Sequence, residues 1–351
     1  MRRLAWVLLW LAVGGVPARA AAPIRRTAPE FPAEDVWLNA KPLTLARLRR
    51  HRVVLLAFFN TANVNSLRAL RQLGRWHEAY ALDGVMVIGV HTPLYGFQRN
   101  PGFMRRELAR LKIDFPVVLD DDKRIWKSYE NEGWPSFYIL DRDGRVAFEL
   151  EGEARYTELE TELRAAAYDL GYDLPADSVA VDPPQQGCGQ STPESPVPRD
   201  KAIPAPPDGP LSALLTDGKN GTWSRRGPWK IDDDAVRLAA GTKPGVDEED
   251  VRDLMVVYRG AQGFAVLGPP AGKKTRVYVR QDSLWLTTLN AGPDVEFDDD
   301  GHSYVEVDEP RFYSLTRNAN DDLHLLSLQP GRHGAAVYAF SAADRCLPYA
   351  P

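Results

Sequence analysis

The chain has 351 residues, which is enough for two domains with ordinary hydrophobic cores. Apolar residues make up 44% of it and charged residues 26%, close to the averages of soluble globular proteins. The formal charge of −5 is mild and the basic residues are scattered. This argues against a nucleic-acid partner, because such a partner requires a basic face that displaces counterions from phosphates.

The first twenty residues have the pattern of a secretory signal peptide. Arg2 and Arg3 precede the apolar run Leu4–Val13, and Ala18-Arg19-Ala20 supplies small residues at the positions that a signal peptidase reads. The run is shorter than the roughly 20 residues that span a bilayer, although an uncleaved anchor is the alternative. We predict that residues 1–20 are removed, and that the mature protein has no integral membrane segment and is exported to a bacterial periplasm or secreted.

Residues 21–174 alternate between strand and helix patterns. Val53–Phe59 is a continuous apolar run typical of a buried central strand, and Asn65–Tyr80 has the spacing of an amphipathic helix. Further patterns predict helices at Pro101–Leu111, around Ile125 and at Tyr156–Leu170, and strands at Val85–Val90, Val117–Leu119, Ser136–Leu140 and Val146–Leu150. This order predicts an α/β domain with a mixed sheet that is covered on both faces.

Residues 175–210 are rich in proline and predict a semi-extended linker. Residues 211–346 contain short alternating runs separated by turns, which predict an all-β sandwich, jelly-roll-like, as the second domain. The predicted strands are Ala235–Ala239, Leu254–Tyr258, Gly263–Leu267, Arg276–Val279, Leu284–Leu289, Ser303–Val307, Phe312–Thr316, Leu323–Leu328 and Ala335–Phe340.

The end of the first buried strand carries the most informative motif. It reads Phe58-Phe59-Asn60-Thr61-Ala62-Asn63-Val64-Asn65-Ser66 and leads into the predicted amphipathic helix. This stretch resembles the active-site region of the thioredoxin-like thiol–disulfide interchange proteins (redoxin or TlpA-like, DipZ-type), in which an aromatic pair precedes Cys-x-x-Cys. Downstream agreement at Val87–Pro93, Ile113–Val117 and Asp141–Arg145 extends the resemblance over nearly all of the first domain.

The resemblance implies a thioredoxin-like fold and a cis peptide bond before Pro135, within Trp134-Pro135. The two cysteine positions, however, hold Asn63 and Ser66. Disulfide exchange requires a thiolate, so we predict no catalytic residue and no cofactor here. Asn and Ser are good helix N-cap residues, which is the expected role of both. The alternative is a non-covalent peptide-binding groove formed by the same residues together with Phe59, Trp134 and Pro135.

Only two cysteines are present, Cys188 in the linker and Cys346 at the end of the second domain. Because an exported chain meets an oxidising compartment, we predict a structural Cys188–Cys346 disulfide. Free thiols, or one reactive thiol, are the alternative.

No pattern indicates a metal site. The six histidines form no group, and His91 is expected to pack or to form a hydrogen bond rather than to catalyse. The acidic stretch Asp294–Asp300 fits a strand followed by a solvated hairpin turn better than a calcium site, since Ca²⁺ takes six to eight oxygen ligands.

The second domain resembles the carbohydrate-binding-like sandwich that is fused to DipZ-type proteins. The resemblance is carried by Thr222-Trp223, Val266–Pro270, Ala291–Val295, Arg311–Leu315 and Ala339-Phe340. It implies that tryptophan side chains could stack on sugar rings, although tryptophan in a sandwich more often belongs to the core. The three candidates are Trp223, Trp229 and Trp285.

Three functions follow from these patterns. The favoured hypothesis is a redox-inactive, thioredoxin-like periplasmic binding or scaffold protein, whose partner is an unknown envelope protein or peptide. One alternative is a periplasmic thiol–disulfide oxidoreductase that works through Cys188. Another is a glycan-binding protein that uses the C-terminal sandwich.

Overall fold

The computed structural model describes residues 26–153, 155–183, 191–197, 214, 219–232, 234–238, 252–271, 273–331 and 334–345. The predicted signal peptide lies outside these residues, as do Cys188 and Cys346, so their disulfide stays a prediction. No helix within the described ranges is both long and apolar enough to cross a membrane.

The first domain is built on a six-stranded mixed sheet. Its strands are β1 (Val36–Leu38), β2 (Val53–Phe59), β3 (Val85–His91), β4 (Val117–Leu119), β5 (Ser136–Leu140) and β6 (Val146–Glu151). Their order in space is β1-β4-β3-β2-β5-β6. The three central strands β4, β3 and β2 are parallel, and β1, β5 and β6 run antiparallel to their neighbours. The predicted thioredoxin-like α/β fold is confirmed.

Five helices cover this sheet: α1 (Leu45–Leu48), α2 (Val64–Tyr80), α3 (Pro101–Arg110), α4 (Arg124–Ser128) and α5 (Tyr156–Asp169). All seven residues of β2 are buried because alternate side chains enter two different cores. Val53, Leu55, Ala57 and Phe59 pack with α2, α3 and α5, whereas Val54, Leu56 and Phe58 pack with α1 and α4. The continuous apolar run therefore identified the strand that is covered on both faces.

The sequence patterns did not indicate β1, which is only three residues long. Val36 lies opposite Leu119 and Leu38 opposite Val117 in an antiparallel pair with β4. A segment this short carries too few alternating positions to be recognised, and its pairing depends on the exposed edge of β4 rather than on its own composition.

The second domain consists of two antiparallel sheets. Its strands are β7 (Ser195–Pro196), β8 (Trp223–Arg225), β9 (Trp229–Ile231), β10 (Val236–Leu238), β11 (Leu254–Arg259), β12 (Gln262–Gly268), β13 (Thr275–Gln281), β14 (Leu284–Trp285), β15 (Val295–Phe297), β16 (Ser303–Val307), β17 (Arg311–Arg317), β18 (Leu323–Pro330) and β19 (Ala336–Ala343). One sheet has the order β17-β12-β19-β10-β9, with β7 also on β19, and the other has the order β15-β16-β13-β18-β11-β8, with β14 on β13.

The inner faces of the two sheets form one apolar core. Leu267, Leu315 and Val337 of the first sheet and Val277 and Leu328 of the second belong to the same buried cluster. The prediction of a β-sandwich is therefore confirmed. The predicted strand Leu284–Leu289 is shorter than expected, because β14 ends at Trp285 and a turn follows.

The two domains pack against each other through a continuous apolar contact. Phe264, Phe312 and Tyr338 of the sandwich share a buried cluster with the core around α2 and α3 of the first domain. The Tyr338 ring lies 5.1 Å from the ring centroids of both Tyr95 and Phe97. The sandwich thus covers the loop that connects β3 to α3.

Replacing Tyr338 by alanine is expected to loosen this contact. Truncation of a buried aromatic side chain typically costs about 3–5 kcal/mol, and here the loss falls on an interface rather than on either domain core. We expect unfolding in urea to separate into two transitions in the variant. The control is Leu284→Ala, which truncates an exposed side chain of the sandwich. A single unshifted transition for Tyr338→Ala would contradict this role.

Candidate functional site

The degenerate motif lies where β2 ends and α2 begins. Asn63 is the N-cap of α2, and its Oδ1 accepts a hydrogen bond of 2.9 Å from the backbone N–H of Ser66. The capping role predicted for Asn63 is therefore confirmed. Ser66 does not cap the helix: it lies in the first turn, is fully buried, and its Oγ accepts a 3.2 Å hydrogen bond from the backbone N–H of Asn60.

A buried polar network holds the loop that leads to Asn63. Asn60 Nδ2 donates to the Thr92 carbonyl at 2.8 Å, and Asn60 Oδ1 accepts from the Ala62 N–H at 2.8 Å. Gln98 Nε2 donates to both Asn60 Oδ1 and Thr61 Oγ1 at 3.0 Å. All these side chains are satisfied inside the protein, so the loop is locked to the segment before α3. No local pattern in the sequence singles out Asn60 or Gln98.

The outer side of Asn63 is occupied by another part of the chain. Asn63 Nδ2 donates a 2.7 Å hydrogen bond to Oε2 of Glu194, which lies in the proline-rich segment between the domains. Burial raises the pKa of the Glu194 carboxyl, and the hydrogen bond from Asn63 opposes this shift only in part. The position of the first cysteine in the related motif is therefore covered by a carboxylate of the same chain.

The Trp134–Pro135 peptide bond is cis, as the resemblance implied. Ser136 lies opposite Phe58 in the pairing of β2 with β5, so Pro135 stands beside the end of β2. Pro135 itself is buried and Trp134 is partly exposed. The Trp134 ring lies 4.8 Å from that of Trp126. Among the described residues, the Trp134 indole N–H has no hydrogen-bond partner.

Phe59 and His91 form the floor of the site. Both are completely buried, and their ring centroids are 5.4 Å apart. Phe59 is therefore not accessible to a ligand, and it packs in the core beneath the loop that leads to Asn63. Neither ring nitrogen of His91 has a hydrogen-bond partner among the described residues. Burial lowers the pKa of His91 to about 3, so the imidazole is neutral near pH 7.

The buried His91 predicts a specific pH dependence of stability. Its pKa is lowered from 6.5 to about 3 in the folded state, so between these values the unfolded chain binds more protons and stability falls with falling pH. At pH 5 the free energy of unfolding is expected to be about 2 kcal/mol lower than at pH 7. We expect His91→Leu to remove this loss, as measured by urea unfolding at pH 7 and pH 5. The exposed His51→Gln should retain it, and equal pH dependence of native and His91→Leu chains would refute the prediction.

The first domain is similar in sequence to several known proteins. Residues 24–149 match the profile of the AhpC/TSA family. The chain is 36% identical over 174 residues to protein DipZ of Mycobacterium bovis and Mycobacterium tuberculosis, which covers 48% of this chain and 25% of DipZ. It thus spans about a quarter of the length of these relatives. It is also 27% identical over 123 residues to the thiol-disulfide oxidoreductase YkuV of Bacillus subtilis, covering 35% of this chain and 82% of YkuV.

Among solved structures, a thioredoxin-like protein in its oxidized form is similar at 25% identity, with a TM-score of 0.38. The match covers 42% of this chain and 97% of that protein. The AhpC/TSA match begins before β1 and ends within β6, so it includes the loop with Asn63 and Ser66 and the cis bond before Pro135.

Acid–base activation of Ser66 has no support in the geometry. The Ser66 hydroxyl faces the backbone N–H of Asn60, and no described carboxylate or imidazole is hydrogen-bonded to it. Arg68, two residues further along α2, is engaged in an ion pair of 2.8 Å with Glu153. The side chains at the two cysteine positions therefore form structural hydrogen bonds, and neither is poised as a nucleophile.

Two of the three candidate sugar-stacking tryptophans belong to the core of the sandwich. Trp223 and Trp229 are buried, and their indole N–H groups donate to Ser195 Oγ and to the Arg226 carbonyl at 3.0 and 2.9 Å. Trp285 is partly exposed on the outer face, with its ring centroid 4.5 Å from that of His302. The Arg280 guanidinium also lies over this ring, 5.0 Å from its centroid. Of the three candidates, Trp285 is the one that is not buried.

The acidic stretch forms the predicted strand and hairpin turn. β15 pairs with β16, and Asp298 Oδ1 accepts hydrogen bonds from the backbone N–H groups of Asp300 and His302 at 3.1 and 2.8 Å. Asp298, Asp300 and His302 place one ligand atom each within 4.8 Å of one another. Three ligands are fewer than calcium requires, and the Asp298 carboxylate already closes the turn.

Proposed function

We propose that this chain is an exported binding or scaffold protein whose thioredoxin-like domain performs no thiol–disulfide exchange. The observation that carries the proposal is the state of the two motif positions. Asn63 caps α2 and contacts Glu194, and Ser66 is buried against the Asn60 backbone. Exchange proceeds by attack of a thiolate on a disulfide sulfur, and neither side chain provides one.

The rest of the thioredoxin-like architecture supports binding without a covalent step. The helix N-terminus at Asn63 and the cis bond before Pro135 are both present, and Trp134, which precedes Pro135, is partly exposed. The partner in this proposal is an envelope protein or a peptide, and the exported location rests on the signal-like pattern of residues 1–20. A glycan partner would depend on Trp285, since the other two candidate tryptophans are core residues.

The test is the reduction of insulin disulfides by dithiothreitol, with and without the chain lacking residues 1–20. We expect the rate with the native protein to equal the rate with dithiothreitol alone. A protein of the thioredoxin-like oxidoreductase class with its cysteine pair intact serves as the positive control. Acceleration by the native protein would overturn the proposal.

The second candidate is a thiol–disulfide oxidoreductase that uses Cys188. It is favoured by the similarity to a relative named as such an enzyme, YkuV, and by the AhpC/TSA match. This candidate requires that any acceleration of insulin reduction disappear in Cys188→Ser and that Cys188 react with an alkylating reagent in the native chain. A Cys188–Cys346 disulfide resistant to mild reductant would exclude it.

A further inference from the structure

We propose that the segment Thr192–Val197, called here the resident strand, is a built-in occupant of the degenerate site. We further propose that the external partner is an extended polypeptide segment that takes its place. This inference rests on the proposed binding function and specifies its partner. The partner would pair with β19 and direct a hydrogen-bond acceptor to Asn63, as the resident strand does.

The resident strand completes an edge of the sandwich. Strand β10 pairs with β19 at Ala336 and Val337, and the resident strand continues along β19 at Ala339 and Phe340. The Val197 N–H donates to the Tyr338 carbonyl at 3.0 Å. If the resident strand leaves, this part of β19 becomes an unpaired edge, which is the kind of surface to which extended peptides add as a further strand.

The side chains of the resident strand face both domains. Thr192 and Val197 are buried in the sandwich, with 1% exposure each, and Ser195 accepts from the Trp223 indole. Glu194 instead contacts Asn63 of the first domain. One short segment thus joins the sandwich to the N-terminus of α2, where the helix dipole and the Asn63 amide favour an acceptor group.

The attachment is uneven along the resident strand. Thr192 is held at one end, where its N–H donates to the Arg259 carbonyl at 2.8 Å and its carbonyl accepts from the Ala342 N–H at 3.2 Å. Pro193 and Pro196 have no backbone N–H, so between Thr192 and Val197 the resident strand has backbone donors only at Glu194 and Ser195. Its occupancy is nonetheless favoured by covalent connection, since an intramolecular segment acts at an effective concentration of about millimolar. A partner segment must therefore compete with this local concentration.

The experiment uses the chain without residues 1–20 and a fluorescein-labelled synthetic peptide with the sequence of residues 191–197. We expect weak binding to the native chain and about tenfold or more tighter binding to Glu194→Ala/Val197→Ala, because the resident strand then competes less well. Adding Asn63→Ala to this variant is expected to remove the gain. Equal peptide affinity for the native and doubly substituted chains, or no effect of Asn63→Ala, would overturn the proposal.

Hydrogen exchange on the native chain provides a measurement that does not depend on these variants. Excess unlabelled peptide should increase exchange of the Val197 amide, which bonds to Tyr338 only while the resident strand is seated. Unchanged exchange at saturating peptide would count against displacement. The outcome is separate from that of the insulin assay, because a redox-active chain could still release the strand and a redox-inactive chain could retain it.

Discussion

Replacement of Asn63 and Ser66 by cysteine is expected to produce only slow insulin reduction. Replacing Glu194 by alanine in the same chain should raise the rate about tenfold or more. Asn63 Nδ2 lies 2.7 Å from Glu194 Oε2, so a thiol at position 63 would stand beside a carboxylate. A like charge this close raises a thiol pKa by one or more units and reduces the thiolate fraction accordingly. Release of the resident strand would also open the site to insulin.

The comparison is between Asn63→Cys/Ser66→Cys and the same chain with Glu194→Ala. Glu158→Ala in the same background is the matched control, because Glu158 is a half-exposed carboxylate paired with Arg155 at 3.0 Å on α5. The pKa of the thiol at position 63, measured by the pH dependence of alkylation, should fall only in the Glu194→Ala chain. Equal insulin reduction with and without Glu194 would show that the carboxylate does not control the site.

Replacing Glu160 by alanine is expected to lower the free energy of unfolding of the first domain by about 3 kcal/mol. The Glu160 carboxylate is buried on α5, where it accepts hydrogen bonds from Trp76 Nε1 at 2.9 Å and from the Tyr80 hydroxyl at 2.8 Å. It also forms a 3.0 Å ion pair with Arg164. Loss of the Glu160 carboxylate leaves several buried hydrogen-bond donors without an acceptor. Each unpaired buried donor lowers the stability of the folded state by more than one hydrogen bond normally adds to it.

Urea unfolding followed by far-ultraviolet circular dichroism measures this effect, because the described helices of eight residues or more are all in the first domain. Glu162→Ala is the control, since that carboxylate is exposed on the same helix. A shift of the urea midpoint no larger than that of Glu162→Ala would contradict the prediction.

The same carboxylate predicts a pH dependence. Burial acts to raise the pKa of Glu160, but the hydrogen bonds from Trp76, Tyr80, Ser178 and Arg164 outweigh it, and the pKa is lower than usual. A lowered carboxyl pKa stabilises the folded state above the ordinary value of 4.5, and this contribution is lost as pH falls through the folded-state pKa. The difference between native and Glu160→Gln chains should therefore be full at pH 7 and shrink below about pH 4. A stability difference between the native and Glu160→Gln chains that grows as the pH falls would refute this prediction.

Most elements of the first domain could be predicted from sequence because their signals are local. Val53–Phe59 was predicted as a buried strand and is β2 with the same limits, and the spacing of apolar residues after Asn65 identified α2. Each pattern reports which faces of a single element are buried. A strand that is buried on both faces has a continuous apolar run, and a helix that is buried on one face has apolar residues at spacings of three and four.

The site was predictable only in part. The helix start at Asn63 and the cis bond before Pro135 followed from the motif and its resemblance. The polar network of Asn60 and Gln98 was not predicted, because the sequence around a single Asn or Gln is the same whether its side chain faces solvent or lies in a core.

The sequence by itself determined that the two motif positions hold no thiol, since that depends only on residue identity at Asn63 and Ser66. It also determined the α/β and all-β character of the two domains, since these depend on local periodicity. Only the tertiary structure decided what faces the site. Glu194 lies 131 residues from Asn63 along the chain, and their contact exists because the sandwich packs on the first domain. Contacts between distant segments depend on the docking of whole surfaces, which no local pattern records.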